Sequence, residues 1–202
     1  MNIIKYIAAL IIAYLLGSIN TSIIVGKIKS GEDIRNHGSG NAGATNALRT
    51  FGKAAAVLVL MGDALKAVVA ILAGKLLGGE LGVYAAGIGV AIGHNFPVFF
   101  AFKGGKGIVV SAVAILFADW KIGLISIILS VIVIAITRYV SLGSIIGSLL
   151  IIVLGFVLRG FDVHYIIFSV VLGGLAIFRH RKNISRLIRG MENKLGSSKG
   201  DK

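Results

Sequence analysis

Seven blocks of apolar residues, separated by short polar segments, make up most of the chain. Several are long enough to cross a bilayer, whose hydrocarbon core of about 30 Å needs about 20 apolar residues in a helix. The pattern predicts an all-α integral membrane protein with seven transmembrane helices, forming a single multi-pass domain over residues 1–202. The predicted spans are residues 3–25, 54–78, 81–102, 107–118, 122–137, 142–158 and 163–178.

Three parts of this pattern need separate treatment. A helix over residues 107–118 would rise only about 18 Å, so it is either a half-span or a helix sunk among its neighbours. The first block runs past the length of a signal peptide without a small-residue cleavage site, and it is therefore predicted as a span. Residues 190–202 are expected to form a mobile cytoplasmic tail.

Composition supports the membrane prediction and excludes several other classes. Hydrophobic residues are 56% of the chain, charged residues only 14%, and the mean hydropathy is +0.94. These values exclude a disordered chain, a disulfide-stapled secreted module and a nucleic-acid-binding domain with a soluble core. The chain has no Cys, so a thiolate nucleophile, a Cys zinc site and an iron–sulfur cluster are also excluded.

Positive charge is concentrated on one side of the predicted topology. The side formed by residues 26–53, 103–106, 138–141 and 179–202 carries a net charge of +12, and the other side carries +1. Basic residues collect in cytoplasmic loops. The N-terminus is therefore predicted to lie outside and the C-terminus in the cytoplasm.

A glycine-rich segment, GSGNAGATN, covers residues 38–46 on this basic side. Glycines let backbone N–H groups approach an anion closely. Ser39, Asn41 and Thr45 add neutral donors, and Arg49 adds a planar cation suited to phosphate. The segment is thus a candidate phosphate-binding loop, with a flexible turn between two spans as the alternative.

Two further features of this segment bear on the prediction. Residues 47–53 could begin a helix whose N-terminus faces the loop, which also favours an anion. Gly38, Gly40 and Gly43 match the G-x-G-x-x-G pattern. A dinucleotide site is not expected, because no strand precedes the pattern.

A second segment alternates lysine and glycine at the membrane surface, at Lys103, Gly104, Gly105, Lys106 and Gly107. A lysine beside open backbone amides is a phosphate-binding chemistry. The alternative is that both lysines anchor the chain at lipid headgroups. The preceding His94 is equally compatible with packing and with function.

A third polar region is split between residues 138–144 and 179–189. If the second part is helical, His180 and Asn183 share a face. Leu187 and Ile188 could make the rest an interfacial amphipathic helix, with Arg181, Lys182 and Arg186 contacting anionic lipid. Inside the second span, Asp63 and Lys66 are three residues apart and are interpreted as a structural ion pair.

The candidate site is rich in phosphate-binding groups and poor in carboxylates. No acidic pair is available for a metal, so neither a metal nor another cofactor is expected. No carboxylate is evident to orient His180 as in a hydrolase triad. The candidate donors at the cytoplasmic edge are Ser39, Asn41, Thr45, Arg49, Lys106, Ser144, His180 and Asn183.

Two other functions are compatible with seven spans and a basic face. One is a transporter of a small organic phosphate, although the polar motifs lie at one edge and not at the midplane between repeats. The other is a scaffold that recruits a partner through its basic tail, which leaves the glycine-rich segments without a role.

The four polar segments resemble the signature segments of the bacterial acyl-phosphate:glycerol-3-phosphate acyltransferase family. They read GSGNAGATN, GHNFPVFFAFKGGKG, RYVSLGS and RHRKNISRLIRG, and the resemblance extends over essentially the whole chain. It implies transfer of a fatty acyl group from acyl phosphate to the 1-hydroxyl of sn-glycerol 3-phosphate. The implied products are lysophosphatidate and inorganic phosphate, formed at the cytoplasmic face of the bacterial inner membrane.

The resemblance also implies roles for individual residues. Lys106, Ser39 and His180 are the implied catalytic residues. The implied substrate-binding residues are Gly38, Gly40, Asn41, Gly43, Thr45, Asn46, Arg49, Gly104, Gly105, Ser144 and Asn183. The expected partners are acyl phosphate, glycerol 3-phosphate, membrane lipids and the soluble enzyme that makes acyl phosphate, but not nucleic acid.

Acyl phosphate is an activated anhydride, so the reaction needs positioning and charge stabilisation more than a strong nucleophile. We therefore expect direct attack of the glycerol hydroxyl on the acyl carbonyl. Either His180 or a phosphate oxygen of the substrate could accept the proton, because both have ordinary pKa values between about 6 and 6.5.

Overall fold

The computed structural model describes residues 2–196, with side chains from Ile3 onward. Within that range the regular structure is entirely helical, which confirms the predicted all-α class. Two short 3-10 helices cover Ile34–Asn36 and Val98–Phe100. The α-helices are α1 Asn2–Ser18, α2 Thr21–Ser30, α3 Ala44–Phe51, α4 Lys53–Asn95, α5 Ile108–Ala118, α6 Trp120–Thr137, α7 Val140–Arg159, α8 Val163–Arg179 and α9 Arg181–Ile188.

Four of the described helical segments are long and apolar enough to cross a membrane. A fifth candidate arises if α8 and α9, which meet at a bend of 57°, form one broken span. The helix predicted over residues 107–118 is the short α5, so its crossing and the count of seven spans remain predictions. The four segments are Ile3–Ser30, Lys53–Phe100, Trp120–Thr137 and Val140–Arg159.

Helix α4 folds back on itself at its midpoint. Gly78 and Gly79 have non-helical backbone angles, and Gly79 has a φ of 59°. Lys66 Nζ lies 3.0 Å from Nδ1 of His94, 28 residues along the chain. A straight helix would separate these residues by about 42 Å. The two halves of α4 are therefore antiparallel neighbours, and the break falls where the sequence pattern separates spans 54–78 and 81–102.

Two of the predicted spans differ from the helices in the structure. The first predicted span, 3–25, is interrupted between α1 and α2, where Asn20 accepts a hydrogen bond from Ile23 N and begins a new helix. In the third predicted span, 81–102, the α-helix ends at Asn95, because Pro97 has no N–H and its Cδ disfavours α-helical geometry in the residue before it.

The chain forms two compact units, and the single multi-pass domain expected from sequence stays a prediction. Unit 1 is Met1–Ala118, in which α1 packs along the second half of α4. Gly89 and Gly93 make this approach possible, because a Cβ at either position would collide with the α1 backbone. The core between α2, α3 and α4 contains Ile23, Ile34, Ala42, Ala47 and Val59.

Unit 2 is Asp119–Lys202, in which α6, α7 and α8 pack in sequence order and α9 contacts α7 and α8. The segment after α9 is not helical, but it is tied to the unit as far as Leu195. Leu195 N donates to the carbonyl of Arg138 at 2.7 Å, and the Arg138 guanidinium donates to the carbonyl of Leu195. The mobility expected for residues 190–202 stays a prediction, and residues 197–202 lie outside the described residues.

Candidate active site

The glycine-rich segment forms an ordered loop that leads into α3. Gly38 has a φ of 58°, and a Cβ there would collide with the side chain of Asn46. Asn46 Oδ1 accepts a hydrogen bond from Ser39 N at 2.8 Å. Helix α3 begins at Ala44, three residues before the predicted start, so Thr45, Asn46 and Arg49 are helical.

Asn46 is the internal brace of this loop. Its Nδ2 donates to the carbonyls of Ile34 and His37 at 3.2 and 3.0 Å, and the residue is buried. Both ends of its amide are therefore used to shape the loop. This gives Asn46 a structural role that the sequence prediction, which counted it among substrate-binding residues, did not include.

The other predicted residues of this loop are more accessible. Ser39 and Arg49 are exposed, whereas Asn41 and Thr45 are half-buried. No side chain caps the N-terminus of α3, which follows Gly43. A helix N-terminus carries a partial positive charge, so the loop combines this dipole with the cation of Arg49.

The lysine–glycine segment lies against the end of α4. Gly104 N donates to the Asn95 carbonyl at 3.2 Å, and Gly105 N donates to the His94 carbonyl at 3.0 Å. A Cβ at Gly105 would collide with the His94 imidazole. Packing therefore contributes to the glycine requirement, in addition to any approach of a ligand. In this segment Lys103 is exposed and Lys106 is half-buried.

The two candidate phosphate-binding segments meet within unit 1. A Cβ at Gly105 would lie 2.5 Å from the carbonyl oxygen of Ala42, which shows how closely the glycine-rich loop approaches the lysine segment. Residues about 60 positions apart in sequence thus lie next to each other. The predicted residues Gly104, Gly105 and Lys106 belong to the same local structure as residues 38–49.

Asp33 and Arg35 join these segments and were missed by the sequence analysis. Arg35 Nη1 donates to the carbonyls of Phe100 and Lys103 at 2.8 and 2.9 Å, and Arg35 Nη2 lies 2.6 Å from Asp33 Oδ2. The hydrogen bond from Arg35 holds the pKa of the Asp33 carboxyl below its usual value, despite partial burial. The only available signal was an acid two residues from an arginine on a strongly basic face.

Behind the lysine segment lies a buried network of charged and polar groups. Lys66 Nζ lies 2.7 Å from Asp63 Oδ1, which confirms the predicted ion pair, and it also donates to the Ile19 carbonyl at 2.8 Å. Thr21 Oγ1 donates to Asp63 Oδ1 at 3.1 Å. With the His94 contact, the network joins the α1–α2 break to both halves of α4.

In unit 2, Glu192 gathers residues from α7 and α9. Its Oε1 accepts hydrogen bonds from Ser141 Oγ at 2.9 Å and from Asn183 Nδ2 at 2.7 Å. Its Oε2 accepts from Arg186 Nε at 2.7 Å. Arg186, expected to contact lipid, is instead paired with this acid. The sequence distinguishes Glu192 only as the one acid between Asp162 and Asp201.

His180 and Ser144 also belong to unit 2. His180 is the N-cap of α9 and is buried, with Nδ1 2.8 Å from the carbonyl of Ala176. A carbonyl only accepts, so Nδ1 carries the proton and Nε2 is the basic nitrogen of the neutral ring. Ser144 is also buried, and its Oγ donates to the Val140 carbonyl at 2.9 Å.

A sequence model of the glycerol-3-phosphate acyltransferase family matches residues 7–190. The chain belongs to this family. Relatives named glycerol-3-phosphate acyltransferase include one from Thermoanaerobacter sp. (strain X514), 50% identical over 92% of this chain and 93% of the relative. Another, from Clostridioides difficile (strain 630), is 43% identical over 98% of this chain and 100% of the relative.

Solved structures extend the similarity to the fold. The crystal structure of PlsY (YgiH), an integral membrane glycerol 3-phosphate acyltransferase, in its glycerol 3-phosphate form has a TM-score of 0.86 and 37% identity. It matches over 95% of this chain and 96% of that one. The lysophosphatidic acid form has a TM-score of 0.82 and 34% identity, over 95% of both chains.

The chain is thus a membrane-integral acyltransferase that acts on glycerol 3-phosphate, in phospholipid biosynthesis. Among the described residues, no group of His, Asp and Glu is arranged to hold a metal ion. The roles of the individual site residues toward this substrate stay predictions.

Proposed function

We propose that the acyltransferase takes its acyl group from acyl phosphate and transfers it to the 1-hydroxyl of sn-glycerol 3-phosphate. The products are lysophosphatidate and inorganic phosphate. The observation that carries this proposal is the meeting of the glycine-rich loop and the lysine segment, at Ala42 and Gly105. Two adjoining phosphate-suited segments fit a reaction in which the donor and the acceptor both carry phosphate.

In this proposal the hydroxyl oxygen of glycerol 3-phosphate attacks the acyl carbonyl carbon directly. The bond between that carbon and the phosphate oxygen breaks, and phosphate leaves with the bonding electrons. Lys106 and the loop amides stabilise the carbonyl oxygen and the departing phosphate, while Ser39 and Arg49 bind phosphate. Gly38, Gly40, Asn41, Gly43 and Thr45 line the same loop, and Asn46 maintains its shape.

Residues of unit 2 help to hold glycerol 3-phosphate. Ser144 and Asn183 bind the substrate, and Asn183 is oriented by Glu192. The proton of the attacking hydroxyl goes either to His180 Nε2 or to a phosphate oxygen of the substrate. The Ala176 carbonyl at Nδ1 leaves Nε2 as the basic nitrogen, which supports the first alternative. The ordinary second pKa of a phosphate, about 6, supports the second.

We also propose seven membrane crossings, with the N-terminus outside and the C-terminus in the cytoplasm. The two antiparallel halves of α4 count as two crossings, and α1–α2, α5, α6, α7 and α8 supply the other five. The basic segments then face the cytoplasm of a bacterium, by the positive-inside rule. A soluble enzyme that makes acyl phosphate would deliver the donor to this face.

The test is a reaction of the purified protein in mild detergent with palmitoyl phosphate and glycerol 3-phosphate, without coenzyme A or carrier protein. Equal amounts of lysophosphatidate and phosphate are expected. Lys106→Ala should lower kcat about a hundredfold or more, and the exposed Lys103→Ala should lower it far less.

Other outcomes contradict specific parts of the proposal. Phosphate without lysophosphatidate would indicate hydrolysis of the donor. Lysophosphatidate formed only from acyl-coenzyme A would overturn the donor. Equal losses in Lys103→Ala and Lys106→Ala would overturn the special role of Lys106.

A further inference from the structure

The turn that leads into the lysine segment has a strained backbone. Ala101 and Phe102 have φ values of 55° and 56°, in the left-handed region that a Cβ disfavours. Phe102 N donates to the Pro97 carbonyl at 2.9 Å, which closes the turn. Two consecutive residues keep such a conformation only where the surrounding structure fixes them.

Arg35, which precedes the glycine-rich loop, holds this turn in place. Its Nη1 donates to the carbonyls of Phe100 and Lys103, the two residues that flank the strained pair. Its Nε and Nη2 donate to the Asp33 carboxylate, so the guanidinium is held on both edges. A planar fork with this many donors is specific to arginine and cannot be reproduced by lysine.

The Asp33–Arg35 pair is itself part of the scaffold of the glycine-rich loop. Ile34, between the two residues, accepts a hydrogen bond from Asn46 through its carbonyl. A Cβ at Gly40 would lie 3.3 Å from the carbonyl of Arg35. A movement of Arg35 would therefore disturb both segments, and Lys106 is only three residues beyond its contact at Lys103.

We infer that the Asp33–Arg35 pair is a positioning element for acyl transfer, which sets the location of Lys106 relative to the glycine-rich loop. The inference rests on the proposed role of Lys106. Neither residue needs to contact a substrate, since their polar groups are used on each other and on the backbone. A displacement of about 1 Å in a reacting group can lower the rate about a hundredfold.

The first experiment compares Arg35→Gln and Arg35→Lys with wild type. We expect kcat to fall about 10- to 100-fold in both, with less than about a threefold change in KM for glycerol 3-phosphate. The matched control is Lys27→Gln, because Lys27 is exposed and affects Asp33 through its charge. This control should keep the wild-type kcat.

The second experiment is a rescue that depends on the strained turn. Glycine adopts the left-handed conformation without the Cβ penalty, so Ala101→Gly should hold the turn without Arg35. We expect Ala101→Gly to restore kcat of Arg35→Gln by about tenfold. Ala101→Ser keeps the Cβ and should give no rescue.

The outcomes separate the inference from the proposed function. If Lys106→Ala removes activity while Arg35→Gln has the wild-type kcat, the positioning inference is wrong and the proposed function stands. If Arg35→Gln lowers kcat and the thermal midpoint together, without rescue by Ala101→Gly, the pair serves only the fold and the inference is again wrong. If lysophosphatidate forms only from another donor, the proposed function fails, and the same comparison with that donor decides the role of the pair.

Discussion

The buried Asp63–Lys66 pair offers a quantitative test of how unit 1 is held together. Both side chains are almost completely buried, and Lys66 Nζ is 2.7 Å from Asp63 Oδ1. At an effective dielectric constant of about 20, this distance corresponds to a Coulomb attraction of about 6 kcal/mol. Desolvation of the two ions, which costs several kcal/mol each, offsets most or all of this attraction.

Removing one charge should therefore be much worse than removing both. Lys66→Gln leaves the Asp63 carboxylate buried without its cation, which should cost about 3–5 kcal/mol. Adding Asp63→Asn removes the uncompensated charge and keeps an acceptor for Thr21. The double variant should recover most of the lost stability.

The assay is thermal unfolding of wild type and of both variants in detergent, all at the same pH. For a chain of this size, the single variant should lower the midpoint by about 6–20 °C. A Lys66→Gln midpoint equal to that of the double variant would refute the reasoning, because the buried charge would then carry no penalty.

Three further predictions concern packing, pH and the base. Gly105→Ala should destabilise the protein by about 1–3 kcal/mol, because its new Cβ would collide with Ala42 and His94. The control Gly174→Ala, whose Cβ would meet nothing within 4 Å, should not destabilise it, and the thermal unfolding midpoints of the two variants test this difference. Burial raises the pKa of Glu192, but the hydrogen bonds from Arg186, Asn183 and Ser141 outweigh it and leave the pKa below its usual value. Its contribution to stability is then present at neutral pH and is lost as pH falls below about 4.3 through the lowered pKa, so the midpoints of wild type and Glu192→Gln should converge there. His180→Ala should lower kcat at saturating glycerol 3-phosphate if His180 is the base, and near-normal turnover would assign that role to the substrate phosphate.

Much of the fold follows from apolar segment length, since a helix in lipid must satisfy its own backbone hydrogen bonds. The break at Gly78 and Gly79 was visible as an interruption between two apolar blocks. The end of the next helix was placed seven residues too late, because the apolar run Val98–Phe102 continues past Pro97. Hydrophobicity alone does not show where the α-helical backbone ends.

The parts of the candidate site that could be predicted are those whose residue types by themselves suggest a ligand or a partner. Glycine, lysine and arginine at short spacing indicated phosphate, and the ion pair three residues apart in α4 was readable from helix periodicity. Asn46 was selected for the same reason, but its amide is used inside the loop. Residue type does not show whether a donor faces a ligand or its own chain.

The sequence by itself determined the helical membrane class, the basic face and the phosphate-suited segments, because these depend on composition and on residues close together in the chain. Only the tertiary structure showed that Arg35 binds carbonyls 65 and 68 residues away, and that Glu192 binds Ser141 across 51 residues. The physical reason is that every residue carries a backbone carbonyl and that polar side chains recur along the chain, so a side chain that bonds to a distant group leaves no pattern in the sequence. The joining of the glycine-rich loop to the lysine segment through Arg35 depends on such contacts.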